Sequence, residues 1–244
     1  MRSAIARLAR LSGLAVLFAV TATVASAAAP LRSTSDVTER EVTASNQKVA
    51  MAYGALVSMW SASFKQLGKR FVPPAIARYR GSVRTSCGVM PANNAMYCAS
   101  RNTIYYDDVF VARQAKAAAE RLGTDGDMAA VGIIAHEMGH AVQMQLGQDS
   151  NVPYENEATA DCLAGAFTRQ SERDGSLEVG DLDEVFFGLA AAGDPTPQFT
   201  GHREIDQRIA LRAQYLGHGT REQRLANFNA GYGNGAGSCL QAFR

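Results

Sequence analysis

The sequence predicts a mainly helical α+β domain with a small β element, and three observations predict it. Apolar residues recur at steps of three and four through most of the chain, β-prone runs are few and short, and the long periodic stretches end at glycines. Val49, Tyr53, Leu56, Trp60, Phe64 and Leu67 form the first amphipathic stripe, stopped at Gly68. "FVPPAIARY" then turns the chain into an irregular region with room for short strands, and residues 102–108, "NTIYYDD", read as a strand. That strand either packs as core or offers an edge to an extended peptide. Residues 109–122 resume an Ala-rich helix. A longer helix follows, with Thr124 or Asp125 as its cap and Gly147 as its stop. "YENEATADCLAGAFTRQSER", "DLDEVFFGLAAAG" and "REIDQRIALRAQYLG" are three more helices. The last opens on Thr220 and Gln223, spaced as a capping box, and runs to Gly231. The "GYGNGAGS" after it reads as a flexible tail tied down by Cys239.

At the other end, Arg2, Arg7 and Arg10 precede an apolar run over residues 11–24 and small residues ending in "ASA". Residues 1–27 therefore read as a secretory signal peptide cut after Ala27, which makes the protein periplasmic or secreted. Left uncleaved, residues 11–29 are long enough to anchor it in a membrane. Residues 28–45, rich in Ser, Thr and charge, read as a flexible lead-in, and residues 46–244 as one domain without internal repeats. The chain has 24 basic and 23 acidic residues. Losing the three arginines leaves 21 against 23, a charge of −2 with no block of one sign, so nucleic acid is excluded as a partner.

Cys87, Cys98, Cys162 and Cys239 are an even set in a chain bound for an oxidising compartment, which favours two disulfides. Cys87 and Cys98 close a short local loop, leaving Cys162 for Cys239. No CxxC pair is present to suggest a zinc knot.

The chemistry concentrates in "VGIIAHEMGHAVQMQLG". His136 and His140 stand four apart, so on a helix their imidazoles lie on one face and converge on one ion, for which Zn2+ is suited by its preference for neutral imidazole. Glu137 sits about 100° around the helix, where a carboxylate serves as general base to a metal-activated water without being a ligand. Gly139 inside the helix costs about 1 kcal/mol against Ala, which a space requirement or a tight helix crossing explains. A hydrolytic zinc keeps three protein ligands and one open position. Glu157, on the next helix, is the candidate third ligand, with Glu155 competing. Asp161, one turn on, is placed to hold a ligand histidine's other nitrogen. The alternative class is a non-catalytic zinc staple or envelope binding module, which has no need of Glu137.

"AHEMGHAVQMQLG" followed by "ExxADCxAG" resembles the bacterial "putative neutral zinc metallopeptidase" family, whose site is similar to that of gluzincins. Further landmarks are Trp60 and Phe64, "CG" at Cys87, "YC" at Tyr97, "IYYD" at Ile104, "AAAGD" ending at Asp194, "HGTREQR" from His218, and "FNAGY". The chain departs from the family's usual pattern at Ala141, Ala99, Arg101 and Asn227. The resemblance implies a zincin-like fold, a peptide or protein substrate, zinc held by His136, His140 and Glu157, Glu137 as base and Asp161 behind a ligand. For the donor to the developing oxyanion, His218 comes first, with Tyr154 and His202 behind it. His218 reads equally as a structural residue.

Overall fold

The computed structural model describes residues 37–241; the expected signal peptide, residues 1–27, and residues 28–36 of the expected lead-in lie outside them. The chain enters through α1 (Glu39–Gln66), ten residues before the first residue of the apolar stripe. Residues 39–45, expected in the lead-in, are helical because a capping box starts them. The Thr38 hydroxyl accepts from the Glu41 N–H at 3.2 Å, while the Glu41 carboxylate accepts from the Thr38 N–H at 2.6 Å. Val42 and Ser45 are buried by the extra turns, and Arg80 pairs with Glu39 across 41 residues of sequence.

Five short strands follow: β1 (Ala75–Tyr79), β2 (Val83–Thr85), β3 (Gly88–Met90), β4 (Ala95–Cys98) and β5 (Thr103–Asp107). Strand β5 runs parallel to β1, with Ile76 opposite Ile104, and antiparallel to β4, with Tyr97 opposite Ile104. The order β1-β5-β4 puts β5 in the middle of the sheet with Ile104 fully buried, so the aromatic strand is core and β4 is an edge. Strands β2 and β3 make a separate hairpin, joined to the end of β4 by the Cys87–Cys98 disulfide.

The remaining helices are α2 (Asp108–Leu122), α3 (Asp127–Leu146), α4 (Pro153–Arg173), α5 (Asp181–Ala191), α6 (Arg203–Leu216) and α7 (Arg221–Asn234). Helix α3 is apolar on nearly every side and accordingly central, packed against α1, α2, α4, α5 and β4. Its cap is neither Thr124 nor Asp125. Gly126 occupies the cap position in a left-handed conformation, and the orphan N–H groups of Gly126 and Met128 donate to the two oxygens of Glu184 at 2.9 and 2.8 Å. A fully buried carboxylate from α5 thus caps a helix 58 residues away.

Gly139 marks the crossing of α3 and α4: a Cβ there would stand 2.9 Å from the backbone of Ala160. Gly165 and Gly231 let α4 and α7 approach even more closely, each facing a backbone carbonyl of the other helix, those of Phe228 and Cys162. The Cys162–Cys239 disulfide fastens the same pair. The start of the "GYGNGAGS" segment is therefore helical, within α7, and only its end turns away as a short 3-10 segment over Ala236–Ser238. The Thr220 capping box opens α7 as its spacing predicts. Among the described residues, no helix is long and apolar enough to cross a membrane.

Candidate metal centre

Helix α3 ends in a left-handed Gly147, and a loop returns the chain into α4 with Pro153 in its first turn. The neighbours 136 with 161, 139 with 160 and 140 with 157 show the two helices antiparallel around Gly139. This crossing brings the Glu157 carboxylate over both imidazoles. Its Oε2 lies 3.1 Å from His136 Nε2 and its Oε1 3.5 Å from His140 Nε2. The two rings stand 4.8 Å apart, nearly perpendicular.

These distances fit a zinc ion. Ligand atoms about 2.0–2.1 Å from a tetrahedral zinc are separated from one another by about 3.3 Å, and the two measured gaps lie on either side of that value. The charges agree as well. Glu137, Glu157 and Asp161 carry three negative charges once ionised, and the buried Arg224 offsets one, leaving two for a divalent cation. Among the described residues, no fourth His, Cys, Asp or Glu joins His136, His140 and Glu157.

The proton positions follow from burial and neighbours. Burial works against charge on His136, but Asp161 and Glu157 override it and push its pKa up to about 10. That extra proton on Nε2 occupies the position of a metal bond, so a metal ion displaces it on binding. Burial and the neighbouring His136 lower His140 to about 4, which leaves it neutral. Burial opposes ionisation of Glu157, yet the two histidines hold it at about 2. Behind His136, Asp161 Oδ1 accepts from Nδ1 at 2.8 Å, which leaves Nε2 as the nitrogen that would bind a metal once its proton is displaced.

Glu137 lines the same cavity from the side of β4, where its Oε2 accepts the Tyr97 N–H at 2.7 Å. Burial pushes its carboxyl up, partly opposed by His136. A raised carboxyl is better suited to taking and returning a proton near neutral pH. This cavity, of about 630 Å³, runs along α3 between Met96 and Tyr97 of β4, Phe110 of α2 and Leu189 of α5, and His136, His140 and Glu157 line it too.

The other sequence candidates are dispersed. His218 lines the cavity, but its side chain is 61 % exposed. Its Nδ1 is 3.7 Å from Asp194, and its backbone N–H donates to the same carboxylate. Tyr154 packs beside Gly219, and His202 is exposed at the start of α6, outside the cavity lining. Glu155 accepts from Ser150 at the start of α4, two residues before Glu157 and so about 200° around the helix from the imidazoles' partner. The residue that sequence reasoning misses is Arg224. It donates to Asp161 through Nε at 3.0 Å and Nη2 at 2.7 Å, and to the Ala192 carbonyl at 3.2 Å. Its only sequence signal is its place at the end of "HGTREQR", one turn inside the α7 capping box.

The chain is similar to the uncharacterized protein YpfJ of Escherichia coli, with 32% identity over 192 residues, 72% of this chain and 63% of that one. It is also similar to the uncharacterized proteins Mb2605 of Mycobacterium bovis and Rv2575 of Mycobacterium tuberculosis, at 27% over 208 residues, 75% of this chain and 66% of theirs. The chain thus spans less than two thirds of the E. coli relative's length. No solved structure matches it. The model of the family described as "Putative neutral zinc metallopeptidase" matches residues 5–243, so the chain belongs to that family.

Proposed function

We propose that this chain is a zinc-dependent peptidase of the bacterial periplasm or exterior, with His136, His140 and Glu157 as metal ligands and Glu137 as general base. The observation that carries the reading is the pair of gaps, 3.1 and 3.5 Å, between one carboxylate and two imidazoles beside an open cavity. Zinc, when bound, supplies a Lewis acid that polarises a carbonyl and acidifies water. Glu137 takes the proton of the attacking water and returns it to the leaving amine. Asp161 keeps His136 in the tautomer that coordinates, and His218 at the cavity rim donates to the developing oxyanion. An extended peptide lies along β4 rather than β5, because β4 is the edge strand and its Tyr97 backbone already reaches Glu137.

A purely structural zinc staple closes its coordination with a fourth protein ligand and has no use for a buried carboxylate beside the ion. The three-residue donor set and the position of Glu137 favour the hydrolase. The test is Glu137→Gln. Zinc content stays that of the parent while cleavage of a peptide library falls by about 10²–10⁴-fold. Undiminished cleavage by this variant would remove Glu137 from its role.

A further inference from the structure

Arg224 comes from the C-terminal helix and is buried against the carboxylate that holds His136. Asp161 Oδ1 accepts from both His136 Nδ1, at 2.8 Å, and Arg224 Nη2, at 2.7 Å, while Oδ2 accepts from Arg224 Nε at 3.0 Å. A carboxylate with a single histidine partner can turn about its own axis. One gripped at both oxygens by a planar fork cannot. The fork itself is fixed from three sides: Nη1 donates to Ala192 at the end of α5, Gly231 lets α7 rest on the Cys162 carbonyl, and the Cys162–Cys239 bridge fastens the far end. Arg224 Nη2 also lies 3.3 Å from His136 Nδ1, but a Nδ1 that donates to Asp161 has no lone pair left to accept from it, so the hydrogen bonds run from α7 through Arg224 and Asp161 to His136.

We propose that Arg224 is a positioning residue of the metal centre: its two-point grip on Asp161 sets the orientation of His136, making helix α7 a working part of the site. This rests on the metal-binding reading above, though not on peptide cleavage. The alternative, that Arg224 is only a buried charge, predicts the opposite sign, because removing a positive charge near a cation site strengthens cation binding.

The experiment uses the full chain and measures zinc affinity by competition with a chromophoric chelator, together with the visible spectrum of the Co2+-loaded protein, which reports ligand geometry. The variants are Arg224→Met, Arg224→Lys, Asp161→Asn and the double Asp161→Asn/Arg224→Met, each held well below its melting temperature. Arg224→Met and Arg224→Lys both weaken zinc binding by about 10- to 100-fold and alter the Co2+ spectrum. The double variant binds no more weakly than Asp161→Asn alone, because Arg224 acts through Asp161. Tighter or unchanged binding in Arg224→Met, or losses that multiply in the double variant, overturns the proposal. Lysine keeps the charge paired with Asp161, so Arg224→Lys decides the matter where the methionine variant does not fold: parental affinity and spectrum there refute the fork. A parent that binds no zinc ends the metal-site reading, whereas a zinc-binding parent with indifferent Arg224 variants ends this proposal alone.

Discussion

Helix α3 borders two clusters of potential metal ligands, one at its middle and one at its N-terminus. In each, the donor atoms lie within 4.8 Å of one another: His136, His140 and Glu157 in the first, Asp125, Asp127, Asp181 and Glu184 in the second. Proximity does not distinguish them; prior engagement does. In the N-terminal cluster, Glu184 spends both oxygens on the first N–H groups of α3, Asp181 accepts the Glu178 N–H at 2.7 Å, and Asp127 is paired with Lys48. Those acids cap a helix and meet a lysine. In the central cluster the donors face one another, and two of them are imidazoles able to bind a metal while neutral. Acids with another task make structure; donors turned toward a common point are left able to hold a metal.

The largest effect follows directly. Glu157→Ala and His140→Ala each lose zinc by orders of magnitude and cleavage with it, whereas Asp125→Ala combined with Asp127→Ala leaves zinc content at the parental value. Metal analysis of the purified variants decides this, and a drop in zinc from the aspartate pair would erase the distinction.

Next is Gly139→Ala. The added methyl meets the backbone of Ala160 at 2.9 Å, and backbone cannot swing aside as a side chain can. Helix α4 must move away, and it carries Glu157 and Asp161. The variant loses about 1–3 kcal/mol of stability and binds zinc more weakly than the parent at temperatures where both are folded. Serine at the same place behaves likewise, since it has the same Cβ.

Glu184→Gln is smaller and confined to the other region. The side chain keeps its shape, but one carboxylate oxygen becomes an amide nitrogen facing an N–H, and the charge at the N-terminus of α3 is lost. The cost is about 1.5–3 kcal/mol, read as a lower melting temperature, with zinc affinity unchanged well below it.

These cases also mark how far sequence carried. The paired histidines and Glu137 are legible because an i, i+4 spacing on one helix is local information. Glu157 and Asp161 need only the next helix to fold back, and Gly147 with Pro153 announces the turn. The Thr220 capping box is equally local. The start of α1 escapes because its first turns are polar and are held by Thr38 with Glu41 and by a distant Arg80. The cap of α3 escapes because Glu184 lies 58 residues away, and Arg224 because Asp161 lies 63 residues before it. A buried ion pair between distant helices leaves no periodicity. For strand β5 the sequence leaves core and edge both open for a related reason: its alternation is that of any strand, and only pairing with β1 and β4 puts it in the middle.

The subtlest difference between the two regions is how they respond to pH. Burial, chiefly, and the neighbouring Asp127 and Glu184 raise Asp181 from 3.8 to about 6, against the Glu178 N–H that lowers it. A raised carboxyl holds its proton more tightly in the folded chain than in the unfolded one. Its stabilising contribution is therefore complete below 3.8 and lost as the pH rises through about 6. At neutral pH the ionised Asp181 works against the fold. Asp181→Asn removes that repulsion and keeps an oxygen to accept from Glu178, so it melts higher than the parent at pH 8, by an amount near 1 kcal/mol after solvent screening of the exposed neighbours. The advantage shrinks as the pH falls below 6 and vanishes near 4, where the parent's carboxyl is protonated. Thermal melts of both proteins in the same chelator-containing buffers isolate this region from the metal centre. A variant that melts below the parent at pH 8 shows instead that the Glu178 N–H holds the ionised Asp181 more firmly than burial and its acidic neighbours oppose it, in which case this carboxylate puts no electrostatic strain on the N-terminus of α3.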